Sequence, residues 1–94
     1  MRFVWDEEKS LSNRAKHKVS FETAQLVFED PFAISVQDRI VEGEERWQTL
    51  GLVGGVVVLL VAHTYEEESG GEVIRIISAR KASARERIFY EEAY

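Results

Sequence analysis

The stretch Glu72–Tyr90 contains the most concentrated set of residues that could do chemistry. Arg80 and Lys81 stand between a predicted strand and a predicted helix, and Arg85 falls in the first turn of that helix. Cations at a helix N-terminus oppose the helix dipole, but together with exposed amides they suit a phosphate. The sequence therefore indicates an anion site at this junction. The alternative is a solvated basic surface, or cations paired with some of the many acidic residues elsewhere.

Two local patterns define the elements on either side of these cations. Val73–Ala79 is apolar and β-branched apart from Arg75 and Ser78, which is typical of a strand. Ser83 and Glu86 have the spacing of a capping box, so a helix is predicted to begin at Ser83.

A second basic group ends a predicted N-terminal helix. Asp6 is a suitable N-cap, and the helix runs to about His17 with Leu11 and Ala15 as a thin apolar face. The group consists of Arg14, Lys16, His17 and Lys18. Because cations stabilise the C-terminal end of a helix, simple stabilisation is the alternative to a binding role.

The remaining elements indicate an α+β fold in one domain, residues 1–94. Ser20 caps a second helix, whose apolar stripe is Phe21, Ala24, Val27 and Phe28, and Asp30-Pro31 stops it. Two N-terminal helices and a C-terminal helix are thus predicted to pack on a four-stranded antiparallel sheet. Its strands are Ala33–Val41, Glu45–Val53, a central Val56–Tyr65 and Val73–Ala79, with Arg2–Trp5 as a short edge strand and Glu66–Gly71 as a loop.

Strand register predicts which charged residues meet. A two-residue turn at Gly54-Gly55 puts Arg46 opposite His63, and facing residues of an antiparallel pair share a sheet face. Regular alternation puts Arg75 and Arg80 on opposite faces, unless Arg80 lies past the regular strand.

Composition restricts the possible functions. The 94 residues include no cysteine, which excludes disulfides and thiolate metal sites. The net charge of −5 argues against tight non-specific binding to nucleic acid, yet five of the twelve Lys and Arg residues lie in Arg75–Arg87. The uncharged run Trp47–Thr64 is interrupted by three glycines, so no membrane helix is expected, and without an apolar leader we expect a cytoplasmic protein.

Residues along nearly the whole chain resemble the BrnT toxin family. The most specific are Arg75–Ala82, RIISARKA, followed by Glu86-Arg87 and Tyr90. The other matching residues are Phe3-x-Trp5-Asp6, Asn13, Lys16-His17, Val19-Ser20-Phe21-Glu22, Val27-Phe28-x-Asp30-Pro31 and Glu45-Arg46. Lys18 stands where the family usually has a glycine.

The resemblance implies a type II toxin with a RelE-like fold that cleaves RNA as an endoribonuclease. Its partner would be a BrnA-like antitoxin with a ribbon-helix-helix domain, and operator DNA would be reached only through that antitoxin. Two histidines without recognisable ligand spacing make a metal site unexpected, and no cofactor is expected.

Metal-free RNA cleavage uses the 2′-hydroxyl as nucleophile and needs a base, an acid and cations around the phosphorane. The candidate catalytic residues are Arg46, His63, Arg75, Arg80, Lys81 and Tyr90, and the candidate RNA contacts are Lys16, His17 and Arg85. His63 or His17 could move protons near neutral pH. The alternatives are a packed strand-end histidine for His63 and an ordinary packing aromatic for Tyr90.

A second hypothesis assigns the chain to another functional class. The acidic balance also fits a catalytically weak binding module that acts as co-repressor with a ribbon-helix-helix partner. Toxicity on expression, relieved by the partner, would distinguish the enzyme from this module.

Overall fold

The computed structural model describes residues 1–93, in which helices lie on both faces of a central sheet. In chain order the elements are β1 (Arg2–Val4), α1 (Glu7–His17), α2 (Phe21–Ala24), a 3-10 helix (Gln25–Glu29), β2 (Ile34–Val41), β3 (Glu44–Val53), β4 (Val57–His63), β5 (Glu66–Glu68), β6 (Gly71–Lys81) and α3 (Ala84–Glu92). No helix in this part of the chain is both long enough and apolar enough to cross a membrane.

The sheet has six strands rather than the predicted four. Its order is β1-β6-β4-β3-β2, with β5 paired to β6, so β4 is central as predicted. The pairs are antiparallel except that β1 runs parallel to β6. The short N-terminal strand therefore extends the sheet, and Glu66–Glu68, predicted as loop, forms a hairpin with the start of β6.

The caps of the N-terminal helices are confirmed. Asp6 accepts hydrogen bonds from the amides of Glu8 and Lys9, and Ser20 accepts one from the amide of Thr23. Helix α1 ends at Lys18, whose φ of 63° is the left-handed conformation that a glycine adopts without strain.

The predicted apolar face of α1 is wrong, because the helix buries polar residues. Leu11 is 59% exposed, whereas Ser10 and Asn13 are buried. The Asn13 side chain donates to the carbonyls of Val19 and Ala79 and accepts from the amide of Ala79. Hydrogen bonds to backbone therefore fasten the C-terminal half of α1 to β6.

Helix α2 and the 3-10 helix cover one side of the sheet, here named the α2 face. Phe21, Ala24 and Val27 are fully buried and pack on apolar side chains of β4 and β6. A Cβ on Gly51 would lie 2.7 Å from the Cβ of Val27, so glycine is what lets the 3-10 helix approach β3 this closely.

Helix α3 lies on the opposite side, the α3 face. A smaller cluster of Leu50, Val58 and Leu60 is buried there, with Ala82 and Tyr90 packed against it. The predicted capping box at the start of α3 is present, since Ser83 and Glu86 each accept the other's backbone amide.

The loop between β3 and β4 is one residue longer than predicted. Val53 pairs with Val57, so Gly54, Gly55 and Val56 form a three-residue loop. The predicted pairing of Arg46 with His63 is therefore wrong, and Trp47 faces His63 instead. A shift of one residue moves every side chain to the other face.

A β-bulge in β6 places two arginines on the same face of the sheet. Ala62 pairs with Ser78 and His63 with Ile76, so Ile77 is an extra residue in β6. The insertion changes the alternation between Arg75 and Arg80, and both lie on the α3 face. Strict alternation, which put them on opposite faces, fails here.

Candidate functional site

Three of the predicted catalytic arginines share the α3 face. Arg80 pairs with Leu60 in β4, and strand alternation places Arg75 and Arg46 on the same side. Gln48, Ala62 and Ser78 lie between them, and Ser78 is exposed. We name the set Arg46, Gln48, Ala62, Arg75, Ser78 and Arg80 the arginine strip.

The strip has a charged cluster at each end. The Arg80 end lies level with Leu60, and the Arg75 carbonyl accepts the amide of Thr64, four residues after Leu60 and just past the end of β4. At about 3.3 Å per residue, the two ends are about 13 Å apart along the strand. A ligand that contacts both ends must be extended.

One end of the strip is centred on Glu44. Its Oε1 accepts a hydrogen bond from Arg75 Nη2 at 2.6 Å and lies 3.7 Å from Arg46 Nε. Arg46 Nε is buried and has no hydrogen-bond partner among the described residues. Because a buried N–H donor without an acceptor costs free energy, a hydrogen-bond acceptor near Arg46 Nε would stabilise this end of the strip.

The other end is a bidentate ion pair between β6 and α3. Arg80 Nη1 donates to Glu86 Oε1 at 2.8 Å, and Nη2 donates to Oε2 at 3.0 Å. Hydrogen bonding from Arg80 and the Ser83 amide outweighs partial burial and lowers the pKa of Glu86 to about 2. The same hydrogen bond raises the pKa of Arg80. Arg80 therefore also holds the first turn of α3 against the sheet.

His63 lies away from the strip, on the α2 face, and is 2% exposed. Its Nδ1 is 2.9 Å from the Thr64 carbonyl, which can only accept, so Nδ1 carries the proton. Nε2 then accepts from the Thr49 hydroxyl at 2.7 Å, and Thr49 in turn accepts from Ser35. Burial lowers the pKa of His63, against the effect of the Thr64 carbonyl, so it stays neutral and inside the core.

Lys81 does not converge with Arg80. The two are consecutive in β6, and Lys81 pairs with Leu59 on the α2 face, where it is exposed. Of the three cations at this junction, Lys81 therefore lies on the opposite sheet face from Arg80 and Arg85. Lys16 and His17 are exposed at the end of α1, which the hydrogen bonds of Asn13 hold beside Ala79 near the end of β6.

Arg85 lines an apolar cavity of about 300 Å³ on the α3 face. The other lining residues are Ile34, Val36, Gln48, Leu50, Leu60, Glu86 and Phe89. Val36 is 50% exposed there and Phe89 is 52% exposed. We name this cavity the apolar groove.

Tyr90 has a structural partner. Its hydroxyl donates to the Asp30 carboxylate, which also accepts the amides of Leu52 at 2.7 Å and Phe32 at 2.9 Å. Partial burial raises the pKa of Asp30, but these hydrogen bonds outweigh it and the net pKa is lowered. Tyr90 thus joins α3 to the segment after the 3-10 helix.

Three carboxylates of this region were not among the predicted site residues: Asp30, Glu44 and Glu86. The sequence indicates Asp30 only as part of a helix stop and Glu86 only as a cap, and Glu44 falls between two predicted strands. Each is identified by its partner across the sheet or helix interface, and such partners have no local sequence signal. Within residues 1–93, no group of three or more His, Asp or Glu side chains is arranged to hold a metal ion.

Comparison with known proteins identifies the family of this chain. A family profile described as "Ribonuclease toxin, BrnT, of type II toxin-antitoxin system" matches residues 5–86. The chain belongs to the BrnT family. Among solved structures it is similar to the 1.1 Å crystal structure of the Brucella abortus ribonuclease toxin BrnT, with a TM-score of 0.61 and 25% identity over 88% of this chain and 97% of that chain. No curated protein matches the chain.

The family assignment confirms the resemblance found in the sequence. BrnT proteins are ribonuclease toxins of type II toxin-antitoxin systems, so an antitoxin partner follows at the level of the family. The RIISARKA residues that carried the resemblance form the bulged half of β6 and the junction with α3. The most specific motif of the sequence is therefore the segment that brings Arg75 and Arg80 onto one face.

Proposed function

We propose that this BrnT protein is an endoribonuclease that cleaves RNA at the arginine strip without a metal ion, with the 2′-hydroxyl as nucleophile. The observation that carries the proposal is that Arg46, Arg75 and Arg80 share one open face of the sheet. We further propose a RelE-like arrangement of the fold and a site of action in the cytoplasm.

The strip offers donors for a phosphate without a large rearrangement. A guanidinium carries five N–H donors, of which the ion pairs of Arg75 and Arg80 use only some, and these two side chains are 42% and 43% exposed. Donors fixed around a phosphorane lower the barrier because they need no reorganisation during the reaction.

Exposed cations outside the strip would guide the RNA chain. Lys16, His17 and Lys81 lie at the end of the sheet where β6 meets α1, and Arg85 lies beside the strip in the first turn of α3. We assign them to backbone contacts, which add affinity in proportion to the number of phosphates neutralised.

A cleavage assay with a fluorescent RNA tests the site. We expect the wild-type protein to cleave with chelator present, and Arg80→Gln to lose about 100-fold or more in rate, as when a fixed charge donor is removed. Arg39→Gln is the matched control, because Arg39 is 71% exposed on β2, outside the strip. It should keep its rate within a few-fold.

Two results would overturn parts of this proposal. Equal rates for Arg80→Gln and wild type in folded proteins would remove the arginine strip as the site. Cleavage that chelator abolishes would remove the metal-free mechanism.

We also propose that the partner is a BrnA-like antitoxin with a ribbon-helix-helix domain, through which alone the complex contacts operator DNA. The apolar groove supports this, since Val36 and Phe89 leave apolar surface exposed beside the open edge of β2. An antitoxin segment seated there would cover it and block the adjacent strip.

Co-purification from the native operon tests the partner. We expect Val36→Asp to lose the antitoxin because it places a charge in the groove. Val56→Asp should retain it, since Val56 is 86% exposed in the β3–β4 loop, away from the groove. Recovery of the wild-type chain without a small partner would contradict the proposal.

A second candidate function is a co-repressor module with little catalysis. It is favoured by the observation that Arg75 and Arg80 are each held by a glutamate, Glu44 or Glu86, in a chain of net charge −5. Expression without the antitoxin separates the two functions, because only the ribonuclease arrests growth.

A further inference from the structure

The proposed cleavage needs a base near the 2′-hydroxyl, and the arginine strip contains no histidine. His63 is buried on the other face, and its Nε2 is occupied by the Thr49 hydroxyl. Lys16 and His17 lie outside the strip, at the exposed end of α1, which Asn13 fastens to the Ala79 backbone. We therefore look for the base among the carboxylates that share the α3 face with the arginines.

We propose that Glu44 is the general base of the cleavage reaction, held between Arg46 and Arg75. The proposal rests on the ribonuclease function proposed above. Oε1 of Glu44 accepts a hydrogen bond from Arg75 at 2.6 Å, and no hydrogen bond within residues 1–93 involves Oε2 of Glu44. One oxygen thus positions the carboxylate while the other remains free to take a proton.

Glu86 is the carboxylate paired with Arg80 at the other end of the strip, and it is less suited to the task. Both of its oxygens accept from Arg80, and Oε1 also accepts the amide of Ser83. Its lowered pKa makes it a weak base. The two glutamates therefore have different roles: Glu86 fixes α3, and Glu44 is left for the reaction.

The step balances without a co-reactant. Glu44 Oε2 takes the proton of the 2′-hydroxyl, the 2′-oxygen bonds to the adjacent phosphorus, and the bond from phosphorus to the 5′-oxygen breaks. The 5′-oxygen takes a proton from water, and Glu44 returns its proton to the resulting hydroxide. Arg46 and Arg75 flank this carboxylate, so they are placed to stabilise the negative charge on the phosphorane.

The surroundings of Glu44 are acidic, which affects RNA binding separately from chemistry. Glu42, Glu45 and Glu66 line the same surface cleft as Glu44. Each of these charges repels the RNA backbone, so neutralising any of them should tighten binding. A general base differs from its neighbours only in that its removal also slows the bond-breaking step.

The experiment compares Glu44→Gln with Glu45→Gln in single-turnover cleavage and in RNA binding. Glu45 lies next to Glu44, is exposed and lines the same cleft, and among the described residues its side chain forms no ion pair with the strip arginines. We expect both variants to bind RNA a few-fold more tightly. Glu44→Gln should cleave about 100-fold or more slowly, the size expected when a positioned base is lost, while Glu45→Gln cleaves at least as fast as wild type.

The outcomes separate this inference from the proposed function. If wild-type protein cleaves RNA and Glu44→Gln cleaves equally well, Glu44 is not the base, although the ribonuclease function stands. A faster Glu44→Gln enzyme would mean that Glu44 only repels RNA and competes for the arginines. If wild-type protein cleaves no RNA, both the function and the base are overturned. Circular dichroism confirms that the variants remain folded.

Discussion

Replacing Glu86 with glutamine separates the ion pair with Arg80 from the cap of α3. Glutamine serves as well as glutamate at this position of a capping box, so the hydrogen bond to the Ser83 amide survives. What is lost is the charge that holds Arg80, and with it the link between β6 and α3.

The magnitude follows from the lowered pKa of Glu86. A fall from 4.5 to about 2 corresponds to an upper limit of about 3.4 kcal/mol at neutral pH. The Arg80 side chain is 43% exposed, so solvent screening reduces this, and we expect Glu86→Gln to lose about 1 kcal/mol of unfolding free energy. For a chain of this length that lowers Tm by about 4–8 °C.

The stability difference between wild type and Glu86→Gln should depend on pH. Because the pKa of Glu86 is lower in the folded state, its contribution is complete above about 4.5 and is lost as the pH falls through about 2. Urea unfolding at pH 7 should therefore separate the two proteins, and unfolding near pH 2 should bring them together. An equal gap at both pH values would refute the charge argument, and no gap at pH 7 would show that the ion pair contributes nothing.

Three further substitutions test the fold in thermal or urea unfolding. Lys18→Gly should stabilise the protein by about 0.5–1 kcal/mol, since Lys18 has a φ of 63°, and a destabilised variant would contradict the strain at this cap. Gly51→Ala should destabilise it by about 1–3 kcal/mol because the new methyl group would lie 2.7 Å from Val27 Cβ, and an unchanged Tm would mean that the 3-10 helix moves away freely. Tyr90→Phe should cost about 1 kcal/mol through the lost hydrogen bond to Asp30, while RNA cleavage stays at the wild-type rate. A large loss of cleavage would return Tyr90 to the catalytic group.

Local signals in the sequence predicted the helices well. Asp6, Ser20 and Ser83 all cap helices as their side-chain chemistry requires, and these bonds depend on residues only two or three positions away. The family resemblance covered nearly the whole chain and is confirmed over residues 5–86. The starts of the helices were therefore predictable, because the deciding contacts are short in sequence.

The site was less predictable because it depends on register. One extra residue in the β3–β4 loop separates Arg46 from His63, and one extra residue in β6 unites Arg75 with Arg80. The residues Gly54-Gly55 do not indicate whether the loop has two or three residues. Ile77 likewise does not indicate whether β6 is regular or contains a bulge. The errors in loop length and alternation are each a single residue, yet each changes the face on which a charge lies.

The net charge of −5 seemed to argue against RNA binding, but the fold distributes charge unevenly. Glu42, Glu44 and Glu45 of the β2–β3 hairpin lie at the end of the sheet where β4 leads into the glutamates of β5. The exposed cations Lys16, His17 and Lys81 lie at the opposite end, where Asn13 fastens α1 to Ala79. If RNA is the substrate, as we propose, a chain that contacts the basic end would reach the arginine strip at Arg80 first, and it would have to extend along the strip to bring a phosphate to Arg46 and Arg75. Only a segment held by several cations would then offset the repulsion around Glu44.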